Sequence, residues 1–286
     1  MITLGGSTSK KLAELVSKRL DSELGLIDSK RFPDGEIYLR LLSDVNHKDC
    51  ILIETTDSND ALIELFLLLD LLRDFNAKEI HTVVPYLGYS RQDKRFKEGE
   101  AFSTKTILKL IDQFSDSILT VNCHFLDKEG EFSFEGVRIR NLDAFPLVAE
   151  YFKNKLKGPV LISPDKGALE YAKKASEIIN CEFDYLEKTR ISDQEVKINT
   201  KKLDVSGKDV IILDDMISTG STIIEATEFI KAQGAKSIHA GCIHGVFSKG
   251  LQQFSGVLDD LVCADTIPTK VSKITVADLI SKAISL

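Results

Sequence analysis

The chain has 286 residues, enough for two α/β domains. Its composition, 43% hydrophobic and 28% charged, is that of a soluble globular protein. The formal net charge of −7 argues against a nucleic-acid coat, which needs a basic surface, and leaves room only for a local basic pocket. The five scattered cysteines, Cys50, Cys123, Cys181, Cys242 and Cys263, include no C-x-x-C pair. That argues against a disulfide framework or structural zinc and favours a reducing cytoplasm.

In chain order, MITLGGSTSKKLAELVSKRL reads as a strand running into a helix, without the apolar core of a signal peptide. RFPDGEIYLR (31–40) places a Pro-Asp-Gly turn before a strand opened by Glu36. Taken alone it is a plain hairpin-like turn. ILIETT (51–56) reads as a strand and 59–75 as a helix. The apolar run ALIELFLLLDLL (61–72) is too short for a bilayer and carries Glu64 and Asp70, so it reads as a core helix and not a membrane span. IHTVVPY (80–86) is a strand that runs into PYLGYSRQDKRFK (85–97). There Arg91, Lys94, Arg95 and Lys97 crowd beside Tyr86 and Tyr89, and arginine suits bidentate phosphate recognition. A helix over 103–114 and a strand, SILTVN (117–122), lead to NCHF, with His124 at the strand terminus. A lone histidine is more often structural than a ligand.

Pro146 opens a helix over 144–155. The strand PVLISP (159–164) precedes Asp165, which stands where an N-cap would, and a helix over 167–179. YLEKTRIS (185–192) ends a strand with Lys188 and Arg190 two apart, on one face while the strand lasts. Two cations in register at a strand end invite a polyphosphate. DVIILDD (209–215), a helix over 220–233, SIHAGCI (237–243) and a helix over 275–285 complete the series.

The strands are short, β-branched and nearly continuous in apolar character, as expected when both faces of a parallel sheet are buried. Their alternation with helices predicts α/β architecture with right-handed crossovers. A break near 140–146 divides the chain into domains 1–142 and 143–286, which look like loose copies. The copies are matched by VVPYLGYSRQDK (83–94) with LISPDKGALEYA (161–172), and by LTVNCH (119–124) with IILDD (211–215).

The most informative stretch is VIILDDMISTGST (210–222). In a parallel sheet, ligands sit outside the carboxyl ends of the strands. Asp214 and Asp215 would stand at such an end, with Ser218–Thr222 turning into the next helix. Backbone N–H groups, hydroxyls and the helix dipole there suit a phosphate. The carboxylates would repel that phosphate, so they serve sugar hydroxyls or a Mg²⁺ ion. A sugar phosphate satisfies both features. This string resembles the phosphoribosyl-diphosphate motif of the phosphoribosyltransferase fold, which implies two tandem domains of that type, each a mainly parallel sheet flanked by helices.

FPDGE, PYLGYSRQDK, SPDKGALEYA and DDMISTGST, in that order, resemble the ribose-phosphate pyrophosphokinase family over nearly the whole chain, closest to its archaeal branch. The resemblance implies transfer of the diphosphoryl group of MgATP to the C1 hydroxyl of ribose 5-phosphate. It implies ATP contacts at Phe32, Asp34, Gly35, Glu36, Arg91 and Gln92, and metal binding at His124 and Asp165. It places the sugar phosphate on Asp214, Asp215, Ser218, Thr219, Gly220, Ser221 and Thr222, with Lys188 and Arg190 as the catalytic basic pair and Arg190 also meeting the sugar phosphate. The residues after Arg190 (ISDQEVK) would form a flap over the nucleotide. A homodimer or higher homo-oligomer is implied, with the FPDGE segment completing the ATP site of a neighbouring subunit. The sequence departs from the family pattern at Ser218, where another Asp is common, at Asn122-Cys123, at Phe96 and at Gly167-Ala168. Two other readings remain open: a phosphoribosyltransferase, which would need no adenine site, and a catalytically silent regulator on the same fold.

Overall fold

The computed structural model describes residues 1–164, 169–186, 188–190, 196–198 and 203–285, with backbone alone for 169–170, 188–190 and 196–198. Two compact units emerge, the first division falling between Asp143 and Ala144.

The first unit is built on β1 (Ile2–Gly5), β2 (Glu23–Leu24), β5 (Asp49–Ile53), β6 (Glu79–Val84), β7 (Ser117–Val121), β8 (Gly130–Phe134) and β9 (Val137–Leu142). Their order across the sheet is β2-β1-β5-β6-β7-β9-β8. All pairs are parallel except β8 with β9. The connecting helices are α1 (Lys10–Leu20), α2 (Asn59–Asp74) and α3 (Ser103–Asp112). Ser58 caps α2 by accepting the Ala61 N–H at 3.2 Å. The helix buries Leu65, Leu68, Leu69 and Leu72 in the core with Leu52 of β5 and Ile80 of β6.

The second unit orders β10 (Val160–Ser163), β11 (Glu182–Tyr185), β14 (Asp209–Ile217), β15 (Ser237–Gly245), β16 (Asp260–Ala264) and β17 (Ser272–Ile274) as β11-β10-β14-β15-β16-β17, all parallel. Its helices are α4 (Phe145–Lys153), α5 (Leu169–Ile179) and α6 (Ser221–Ala232). Strand interiors such as Val210–Leu213 are wholly buried, which is why they read as unbroken apolar runs.

The two units share one strand plan. In each, an edge strand precedes a two-stranded antiparallel hairpin that stands outside the main sheet. These are β3 (Ile27–Arg31) with β4 (Ile37–Leu41), and β12 (Lys188–Arg190) with β13 (Val196–Ile198). The duplication inferred from sequence therefore reappears in the strand order, but with different partners. By position, β10 matches β1 and β14 matches β5, so the loops after β6 and β10 are not counterparts, nor are the ends of β7 and β14. Both mismatches came from comparing loop composition, which function alters faster than strand order.

The C-terminal stretch also differs from the expected domain at 143–286. Thr266–Pro268 and Thr275–Leu286 group with the first unit. Helix α7 (Ala277–Ile284) packs along α1, Arg19 of α1 pairs with Asp278, and Arg140 Nη1 donates to the Ala283 carbonyl at 2.7 Å. No helix among the described residues is long and apolar enough to cross a membrane.

Candidate active site

The predicted sugar-phosphate residues lie at the carboxyl end of β14. The strand runs two residues further than expected, to Ile217, because Met216 and Ile217 still pair with His244 and Gly245 of β15. Asp214 and Asp215 are half-buried, and the Asp215 N–H donates to Asp214 Oδ1 at 2.9 Å. Ser218–Gly220 bend the chain into α6. Gly220 is the N-cap residue, at φ 86°, and offers no side-chain acceptor to the helix N–H groups. A Cβ there would sit 2.5 Å from the Phe254 ring. The bend is fixed from behind: Ser248 N–H donates to the Ser218 carbonyl at 3.0 Å, and Gln253 Nε2 to the Thr219 carbonyl at 2.9 Å. The Thr219 and Ser221 hydroxyls lie 3.3 Å apart and are exposed. Hydroxyls thus gather around a helix N-terminus that has no N-cap side chain and only a long 3.5 Å contact from the Ser221 N–H to Thr219 Oγ1, an arrangement that binds anions.

In the first unit the segments expected to meet ATP converge on the start of α2. Phe32–Glu36 is the tip of the β3–β4 hairpin and exposed. Phe32 N–H donates to the Glu36 carbonyl at 2.9 Å, Gly35 N–H to the Phe32 carbonyl at 2.9 Å, and Glu36 N–H to Asp34 Oδ1 at 3.2 Å. Gly35 takes φ 97°, with open space around its Cα, so the turn geometry requires glycine there. Arg31 pairs with Asp60 of α2 at 2.8 Å, and Ser29 Oγ donates to Glu64 Oε1 of α2 at 3.3 Å. The basic loop after β6 reaches the same helix end, where Tyr89 donates to Asn59 Oδ1 at 2.5 Å. Within that loop Glu100 accepts from Gln92 Nε2 and from the Phe96 and Lys97 N–H groups. The two backbone donors hold its carboxyl below the usual range. Gln92 is thus tied into the loop by its side chain, whereas Arg91 is exposed and makes no ion pair among the described residues.

His124 is exposed in the turn after β7. The turn is held by Asn122 Nδ2 donating to Asp143 at 3.1 Å and by Cys123 N–H donating to Asn141 at 2.9 Å. Asp165 lies outside the described residues, as does most of the expected flap, 191–195. Lys188 and Arg190 are placed by backbone alone, on β12, as Cα partners of Ile198 and Val196.

Sequence reading assigned no site role to three residues of α2, Asn59, Asp60 and Glu64. A signal was present, since Asp60 and Glu64 are four apart and Glu64 interrupts an apolar helix. A second buried acid, Glu54, follows β5. It is 0% exposed, its Oε2 has no hydrogen-bond partner, and its carboxyl lies against Gly6. Burial first, and the Glu64 charge second, push it up to about 8.

Comparison with known proteins identifies the family. Residues 1–114 match the N-terminal domain of ribose phosphate pyrophosphokinase, and residues 142–263 match the phosphoribosyl transferase domain. The chain is 42% identical over 279 residues to ribose-phosphate pyrophosphokinase 2 of Archaeoglobus fulgidus, covering 97% of each chain. It is 40% identical over 282 residues to the ribose-phosphate pyrophosphokinase of Methanothermobacter thermautotrophicus, covering 97% of this chain and 98% of that one. The crystal structure of phosphoribosylpyrophosphate synthetase from Mycobacterium smegmatis superposes with a TM-score of 0.85 at 26% identity, over 99% of this chain and 97% of that one. With two domains of the right kind in the right order, and relatives matched from end to end, the chain belongs to the ribose-phosphate pyrophosphokinase family.

Proposed function

We infer that the protein transfers the diphosphoryl group of MgATP to the C1 hydroxyl of ribose 5-phosphate, giving 5-phosphoribosyl 1-diphosphate and AMP. The observation that carries this reading is the uncapped, hydroxyl-lined N-terminus of α6 beside Asp214 and Asp215. The 5-phosphate binds Ser218–Thr222, where N–H groups and the helix dipole favour negative charge. Asp214 and Asp215 accept hydrogen bonds from the ribose hydroxyls and so orient C1.

The C1 oxygen attacks the β-phosphorus, the bond from that phosphorus to the α–β bridging oxygen breaks, and AMP leaves. Such a transfer needs alignment and charge neutralisation more than covalent help. Lys188 and Arg190 supply fixed positive charge to the moving group and to the leaving AMP. Asp34, Glu36 and Phe32, with Gly35 shaping the turn, hold the adenine, while Arg91 and Gln92 meet the nucleotide from the basic loop.

Mg²⁺ is the metal we assign. It favours one or two carboxylates, substrate phosphates and retained waters over an all-protein cage. Asp214 and Asp215 fit that donor set, with His124 and Asp165 as further metal contacts, partly through water. When bound, the ion would neutralise phosphate charge. The protein acts in the cytoplasm as a homodimer or higher homo-oligomer, a neighbouring subunit's hairpin completing each ATP site. The test is to incubate purified protein with MgATP and ribose 5-phosphate and resolve the nucleotides. AMP formed in step with phosphoribosyl diphosphate, and only with sugar present, is the expected result. Ribose 5-phosphate binding without any AMP would overturn the assignment in favour of a silent relative.

A further inference from the structure

The β3–β4 hairpin belongs to neither large sheet; Ile27, Leu39 and Leu41 pack it against the core of the first unit, and two polar anchors join it to α2. One of these, Arg31 with Asp60, joins two exposed side chains, a kind of pair that contributes little. The other is buried at its helix end. Glu64 is 3% exposed, and its carboxyl ties α2 to two other segments. It accepts from the Ser7 N–H at 3.0 Å and the Ser7 hydroxyl, both in the loop before α1, and from the Ser29 hydroxyl of β3.

We propose that Glu64 is the positioning residue of the ATP hairpin, fixing β3 through Ser29 against a carboxyl group itself held by the turn before α1. This rests on the reading that Phe32–Glu36 contact ATP. Glu54 makes the hold sensitive to pH. The charged groups bearing on it are Glu64 and Asp57, both acidic; the loop before α1 offers the Thr8 N–H at 3.4 Å, and on β6 the Val83 carbonyl accepts the Glu54 N–H at 3.0 Å. Its Oε2 has no hydrogen-bond partner, and its carboxyl lies against Gly6. While Glu54 carries its proton, Glu64 is undisturbed. Loss of that proton adds a negative charge to the buried site beside Glu64, and repulsion falls on the carboxyl that holds Ser29.

The experiment compares steady-state kinetics of the full-length protein and its Ser29→Ala, Ser29→Thr, Glu54→Gln and Asp34→Ala variants. Ser29→Ala should raise KM for ATP roughly fivefold, the scale of one lost hydrogen bond, with kcat and KM for ribose 5-phosphate unchanged. Ser29→Thr keeps the hydroxyl and should restore the parental value. In the parent, KM for ATP should rise between about pH 7.5 and about pH 9, and Glu54→Gln should abolish that rise. An unchanged KM for ATP in Ser29→Ala, with Asp34→Ala impaired, overturns the positioning role. A parental pH profile in Glu54→Gln overturns the part given to Glu54. If Asp34→Ala also binds ATP normally, the hairpin does not meet ATP and the proposal falls with that reading.

Discussion

The Tyr89 hydroxyl donates to the Asn59 side chain at 2.5 Å, one residue before the Asp60 that holds Arg31 of the hairpin. Two segments far apart in sequence, one around the basic loop and one around FPDGE, are therefore tied to the same helix start. Tyr89→Phe removes only the hydroxyl. It should raise KM for ATP a few-fold, consistent with a net loss of about 1 kcal/mol, and leave KM for ribose 5-phosphate alone. Parallel titration of both substrates checks this.

Lys188→Ala should lower kcat by ~10²-fold or more, on the scale of losing a preorganised electrostatic donor. Pre-steady-state measurement of AMP formation separates this from slower product release. A near-parental rate would remove Lys188 from the chemistry.

Gly220→Ala tests the sugar-phosphate loop. The new Cβ would meet the Phe254 ring, and φ 86° is strained for alanine. A cost of about 1–3 kcal/mol is expected, read as a lower Tm, together with weaker ribose 5-phosphate binding by calorimetry. Unaltered affinity would show that the phosphate does not use this bend.

Glu54 predicts a sign for the pH dependence of stability. Its folded value of about 8 lies above its ordinary 4.5. Between these values the folded state keeps a proton that the unfolded chain has released. The stabilisation is complete below the ordinary value and is lost as pH rises to about 8, at about 1.4 kcal/mol per pH unit for this group. Glu54→Gln should flatten denaturation midpoints across that window. A slope equal to the parent's would show that Glu54 is not protonated in the folded protein.

Much of the fold was legible because parallel strands buried on both faces write themselves as short apolar runs. Val210–Leu213 and Ile51–Ile53 are examples, both buried throughout. The β8–β9 hairpin was harder to read. Glu131, Ser133, Arg138 and Arg140 alternate with apolar neighbours, and an antiparallel sheet margin leaves only a weak pattern. The anion loop could be read locally, since hydroxyls, glycine and helix start lie within five residues. The anchors of the ATP segments could not. Ser29 with Glu64 and Tyr89 with Asn59 are contacts across 35 and 30 positions, which no local pattern encodes. Topology likewise corrected the internal alignment, because strand order is invisible to loop composition.

The return of Thr275–Leu286 to the first unit bears on biosynthesis. Helix α7 is translated after every strand of the second unit, yet α1 awaits it. The first unit emerges earliest and is finished last, so a stalled or clipped chain should expose the apolar flank of α1 while the second sheet is already whole. Neither unit is one continuous stretch of chain, and a cut placed at Asp143 would yield a fragment missing its own closing helix.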